Sequence, residues 1–80
     1  MIPPGWTRRT SLHDYLRRSG NGTMAIIRRR RNGLWKWTVY PAPPTDIFES
    51  ARPASHFGET ATPDEAFWAA DLILERLENT

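Results

Sequence analysis

Four consecutive arginines, Arg28 to Arg31, run into Asn32-Gly33, and Lys36 follows between Trp35 and Trp37. Guanidinium groups make paired hydrogen bonds to phosphate oxygens and to guanine edges. Cations spaced along an extended chain, with aromatic residues between them, suit a polyanion rather than bond-breaking chemistry. The rest of the charge is divided in the same sense. Residues 1–40 hold Arg8, Arg9, Arg17, Arg18, Arg28, Arg29, Arg30, Arg31 and Lys36 against Asp14 alone, nine bases to one acid. Residues 41–80 hold Arg52 and Arg76 against eight acids, so the net charge of +2 hides two opposed halves. Such a division implies a basic surface for a polyanion and an acidic surface elsewhere. The plainer alternative for the same run is a solvated basic face with no ligand.

Other chemistries lack their residues. His13 and His56 are the only histidines and stand too far apart to share a ligand motif. There is no Cys, which excludes disulfides, thiolate zinc sites and cysteine nucleophiles. No phosphate-cradling glycine loop or nucleophile elbow occurs, so the expectation is a non-enzyme with no metal and no cofactor. Eighty residues make one small domain, and four Trp argue against a disordered chain. No apolar run approaches a membrane span, and Met1-Ile2-Pro3-Pro4-Gly5-Trp6 lacks the order of a signal peptide. The expectation is an intracellular, cytoplasmic protein that is not secreted and meets no membrane.

The elements that must position the cations are α+β: a three-stranded antiparallel sheet over residues 24–80, packed on one C-terminal helix. Residues 1–23 form an N-terminal arm. Within it the pattern predicts a short helix over 11–18, with Ser11 as cap, Leu12, Tyr15 and Leu16 on one face, and Gly20-Asn21-Gly22 as its stop. Residues 24–31 and 34–40 flank Asn32-Gly33, the strongest short hairpin signal. A two-residue loop sets Arg30 opposite Trp35, Arg29 opposite Lys36 and Arg28 opposite Trp37. Pro41-Ala42-Pro43-Pro44 ends the second strand. A third strand returns over 46–50 or 54–59, with Phe57 and either Ile47 or Phe48 as core anchors. Thr62-Pro63-Asp64-Glu65 opens the helix as a capping box with proline at the first helical position. Ala66, Phe67, Ala70, Ile73, Leu74 and Leu77 then make one apolar stripe, away from Asp71, Glu75 and Glu78.

Strand alternation allows the hairpin two inner faces. One holds Met24, Ile26, Arg28, Arg30, Trp35, Trp37 and Val39; the other would turn Arg29, Arg31 and Lys36 inward. Unpaired buried charge costs several kcal/mol, so the first set is expected inside. Arg28 and Arg30 then snorkel out beside the tryptophans near the hairpin tip. Arg29, Arg31, Lys36, Thr38 and Tyr40 form an exposed stripe.

The run Arg28-Arg29-Arg30-Arg31-Asn32-Gly33-Leu34-Trp35-Lys36-Trp37-Thr38-Val39, followed by Phe57-Gly58 and Thr62-Pro63-Asp64-Glu65-Ala66, resembles the sheet-plus-helix domains of phage integrase arm-binding regions. It is also similar to the plant ethylene-response-factor DNA-binding domain. The likeness covers about residues 24–78. Both families read DNA with the sheet while the helix braces its back, so the resemblance implies DNA contacts from Arg29, Arg31 and Lys36. Thr60 departs from it, standing where those families keep an apolar residue.

Two functions follow as expectations. The first is a small DNA-binding protein, encoded by a phage or other mobile element, that holds double-stranded DNA with Arg28, Arg29, Arg30, Arg31, Lys36, Thr38 and Tyr40. The second is a phage-encoded, anti-CRISPR-like inhibitor of a host defence protein, touching an acidic or nucleic-acid-binding host partner. Trp68 and Leu72 bear on the second reading, because both lie off the helix stripe. Either Trp6, Leu12, Tyr15 or Leu16 covers them, or they form an exposed patch for a partner.

Overall fold

The computed structural model describes residues 2–20, 22–41 and 54–78. Along the chain come β1 (Thr7–Arg9), β2 (Asp14–Arg18), β3 (Met24–Arg29), β4 (Trp35–Tyr40), β5 (His56–Thr60) and α1 (Pro63–Glu78). The strands form one antiparallel sheet in the order β1-β2-β3-β4-β5, each paired with its neighbours in sequence. The helix lies across one face of it, over β3, β4 and β5. The fold is α+β as expected, with five strands rather than three. No helix among the described residues is long and apolar enough to cross a membrane.

The two extra strands come from the N-terminal arm. Residues 11–18 do not form a helix: 11–13 belong to a turn, and 14–18 are β2. An eight-residue helix has too little internal hydrogen bonding to stand alone, whereas β2 gains a full ladder against β3. Alternation along β2 also gives Asp14, Tyr15 and Arg17 partners on the two faces of the sheet. Tyr15 points to the helix side, its ring 5.2 Å from Phe67 and 6.4 Å from Trp35. Arg17, on the same side, bonds Asp71 of α1. Asp14 faces the other way. The β1–β2 turn holds His13 at φ 54°, the left-handed region. Ahead of β1, Trp6 is buried edge-on against Phe67 at 5.0 Å and donates from Nε1 to Asp71 Oδ1 at 2.9 Å.

The helix begins where the capping residues place it. Thr62 Oγ1 accepts from the Glu65 N–H at 3.3 Å and donates to Glu65 Oε1 at 2.9 Å. Ala66, Phe67, Ala70 and Leu74 are buried, with Ile73 and Leu77 packed at the margin. Ala25, Ala66 and Ala70 bring no bulk between helix and sheet, so Phe67 and Leu74 reach Ile27 and Val39 in one core.

The hairpin forms around Asn32-Gly33 in a register shifted by one residue. The Arg30 N–H donates to the Leu34 carbonyl at 2.8 Å and the Gly33 N–H to the Arg30 carbonyl at 3.0 Å. The loop is therefore Arg31-Asn32-Gly33. Only Gly33 takes a positive φ there, 84°, and Asn32 Oδ1 accepts from the Leu34 N–H. That is a three-residue loop with a left-handed glycine, not a type I′ pair. One added residue turns all of β3 over relative to β4. Arg28 now faces Lys36, Ile27 faces Trp37 and Ala25 faces Val39. The expected inner positions hold for Trp35, Trp37 and Val39 but not for Met24, Ile26, Arg28 and Arg30. Ala25 and Ile27 are buried in their place.

The third strand of the sequence reading is β5, in its later position. Phe57 is not a core anchor: it stands on the face away from α1 and is 69% exposed. The residue that matters inside is Gly58. A Cβ there would lie 2.8 Å from Trp37 Nε1, so the indole fills the space that a side chain would need. Ile47, Phe48 and the alternative strand at 46–50 lie outside the described residues.

Candidate nucleic-acid interface

The face of the sheet away from α1 carries the cations, and the register arranges them. Arg9, Asp14, Arg28, Lys36 and Glu59 stand opposite one another across all five strands. Arg30 and Arg31 extend this row into the hairpin loop. Arg29 shares the helix side with Trp35, yet at the end of β3 its exposed side chain reaches the rim. Together Ile26, Arg28, Arg29, Arg30, Arg31, Asn32, Lys36, Thr38 and Tyr40 line an open groove of about 590 Å³. All seven residues expected from the sequence are thus brought together, although through a different register. Ile26 and Asn32 are additions.

The cations differ in what else they hold. Arg9 donates twice to Asp14, Nε to Oδ1 at 2.8 Å and Nη2 to Oδ2 at 2.7 Å, and Arg28 Nη2 reaches Oδ2 at 3.1 Å. The Asp14 side chain is completely buried beneath these two guanidinium groups. The Arg9 hydrogen bonds hold its carboxyl below the usual carboxylate range, against the opposing effect of burial, with Arg28 adding to the depression. Arg9 is correspondingly harder to deprotonate. Arg30 Nε lies 3.5 Å from Glu59 Oε2, an exposed pair worth little in water. Lys36 Nζ sits 5.7 Å from the centre of the Phe57 ring. Among the described residues, no carboxylate forms a salt bridge with Arg29, Arg31 or Lys36.

Of the arginines of the N-terminal segment, Arg9 and Arg17 are occupied by Asp14 and Asp71. Arg8 and Arg18 are exposed. The role of Asp14 had one sequence signal, its isolation as the single acid among nine bases in residues 1–40. No group of three or more His, Asp or Glu side chains converges among the described residues.

On the opposite side of the molecule, Trp68 is 69% exposed and Leu72 is also exposed. Trp6 and Tyr15 pack on Phe67 instead of covering them, and Leu12 is itself exposed. Asp64, Glu65 and Glu75 stand three or four positions from this pair along the helix, as does one cation, Arg76, four positions from Leu72.

Comparison of the chain with protein-family models, with curated proteins and with solved structures gives no match.

Proposed function

We propose that this protein binds DNA through the outer face of its sheet and the hairpin end that rims it, with Lys36 on the face and Arg29 and Arg31 at the rim as the principal phosphate contacts. The observation that carries the reading is that these three cations share one groove and that none of them is held in a salt bridge by a carboxylate of the described residues, Glu59 standing opposite Lys36 without pairing to it. Arg28 and Arg30 contribute less, because Asp14 and Glu59 already take part of their charge. Thr38 and Tyr40 supply hydroxyls along the same wall. The helix braces the sheet from behind, and its acids keep that side away from a polyanion.

Fluorescence anisotropy with a labelled duplex tests it. Three phosphate contacts give a slope of log K on log salt near −2.7, or about 40-fold weaker binding between 50 and 200 mM salt. The Arg29→Glu/Arg31→Glu/Lys36→Glu variant should lose duplex binding. Full wild-type affinity in that variant would overturn the proposal.

The exposure of Trp68 and Leu72 among three acids and one arginine, Arg76, favours a second reading, that of an inhibitor docking on a basic surface of a host defence protein. Under it, Trp68→Ala/Leu72→Ala abolishes protection of a phage in a plaque assay on an immune host. The charge-reversed sheet variant keeps that protection.

A further inference from the structure

The outer face of the sheet has a second row, two residues along each strand from the cationic one. Leu16, Ile26, Thr38 and Phe57 lie opposite one another across β2, β3, β4 and β5. Solvent-facing positions of an antiparallel sheet ordinarily alternate to polar residues. With Thr7 of β1 opposite Leu16 the row has five members, three of them apolar, and it ends at β5 on a largely exposed phenylalanine. Its ring stands outside the core, since Gly58 and not Phe57 faces Trp37, and its neighbour there is Lys36, with Nζ 5.7 Å from the ring centre. Tyr40 is the diagonal neighbour of Phe57 across the β4–β5 pair, at a spacing of about 7–8 Å. Arg28 and Lys36 border the apolar row on one side, and Arg18 stands on its other side, opposite Met24.

An apolar strip ending in an exposed aromatic ring, with Lys36 beside that ring and further cations along the strip, fits a polynucleotide whose bases are unpaired. Bases stack on the ring while the phosphates reach the cations. An intact duplex satisfies only the cations, because its bases remain stacked on one another. We infer that this face takes single-stranded DNA, its backbone along the cationic groove and a base stacked on Phe57 beside it, opposite Thr38, and holds it more tightly than duplex. The inference rests on the DNA-binding reading above and narrows its substrate.

The test measures anisotropy of labelled oligo(dT) and of a duplex of equal length, for wild type, Phe57→Ala and Phe57→Trp. Phe57 is exposed, so thermal melting should show both variants folded. Loss of one stacked base corresponds to about 5- to 150-fold weaker binding. Phe57→Ala is expected to show that loss on oligo(dT) and no change on the duplex, and Phe57→Trp to retain wild-type affinity. Duplex binding as tight as oligo(dT) in the wild type, or an equal effect of Phe57→Ala on both, overturns the inference and leaves the DNA reading standing. Failure of the wild type to bind either form removes both.

Discussion

Adding a single methyl group at Gly58 probes how the sheet seats Trp37. Gly58 is absent from the glycines of positive φ, so its backbone accepts alanine. On backbone grounds alone, Gly58→Ala should stabilise the protein by about 0.4–1 kcal/mol, because alanine restricts the unfolded chain. The contact argues the opposite sign. The new Cβ would sit 2.8–2.9 Å from Trp37 Nε1, Cε2 and Cζ2. Carbon contacts prefer about 3.5–4.0 Å, so the overlap is roughly 0.6 Å or more. Trp37 packs against the core and cannot retreat without opening it. Overpacking of this kind costs about 1–3 kcal/mol, leaving a net loss of about 0–2.6 kcal/mol after the chain term, with about 1–2 kcal/mol in the middle of that range. For a domain of this size each kcal/mol moves Tm by about 4–8 °C, so Tm should fall by about 4–16 °C. Circular dichroism melting measures it, and the same substitution made in a Trp37→Phe background isolates the cause. There the penalty should vanish or change sign. A higher Tm for Gly58→Ala in the wild-type background, or an unchanged penalty beside Phe at position 37, would refute the reasoning.

Two further outcomes follow from other contacts. Asp14 is held below its unfolded value by Arg9, so its contribution to stability is fully present above about pH 3.9 and disappears as pH falls through its folded pKa. Urea midpoints of wild type and Asp14→Asn should therefore differ clearly at pH 6 and converge toward pH 2; a gap independent of pH would contradict the assignment. Gly33 has open space around its Cα but φ 84°, so Gly33→Ala should cost about 1–2 kcal/mol through backbone strain alone, and Gly33→Asn less. Equal melting temperatures for the two substitutions would show that the loop does not need its left-handed residue.

How far the fold was legible depended on whether each signal was local. Thr62, Pro63 and Glu65 act on backbone groups within one turn, and the apolar stripe from Ala66 to Leu77 repeats at helical spacing, so α1 could be read directly. Asn32-Gly33 announced a hairpin for the same reason. Its register was not legible, because the same dipeptide ends a three-residue loop as well as it fills a two-residue one. That single residue decided whether Ile26 and Arg28 or Ala25 and Ile27 went inside. The groove residues were nevertheless found, because Lys36, Thr38 and Tyr40 keep their face in either register and Arg28 to Arg31 cluster at the tip.

By itself the sequence determined the composition of the two surfaces: basic residues gathered in the first half, acids on a capped amphipathic helix, and tryptophans alternating with Lys36. Tertiary structure alone decided that the N-terminal segment is strand, that Asp14 is enclosed by Arg9 and Arg28, and that Phe57 faces outward. The reason is range. Capping and periodicity act over a few residues, whereas Trp6 and Arg17 meet Asp71 from 65 and 54 positions away. Such contacts tie the N-terminal segment to the helix across the whole length of the chain, and no local pattern in residues 1–23 announces them.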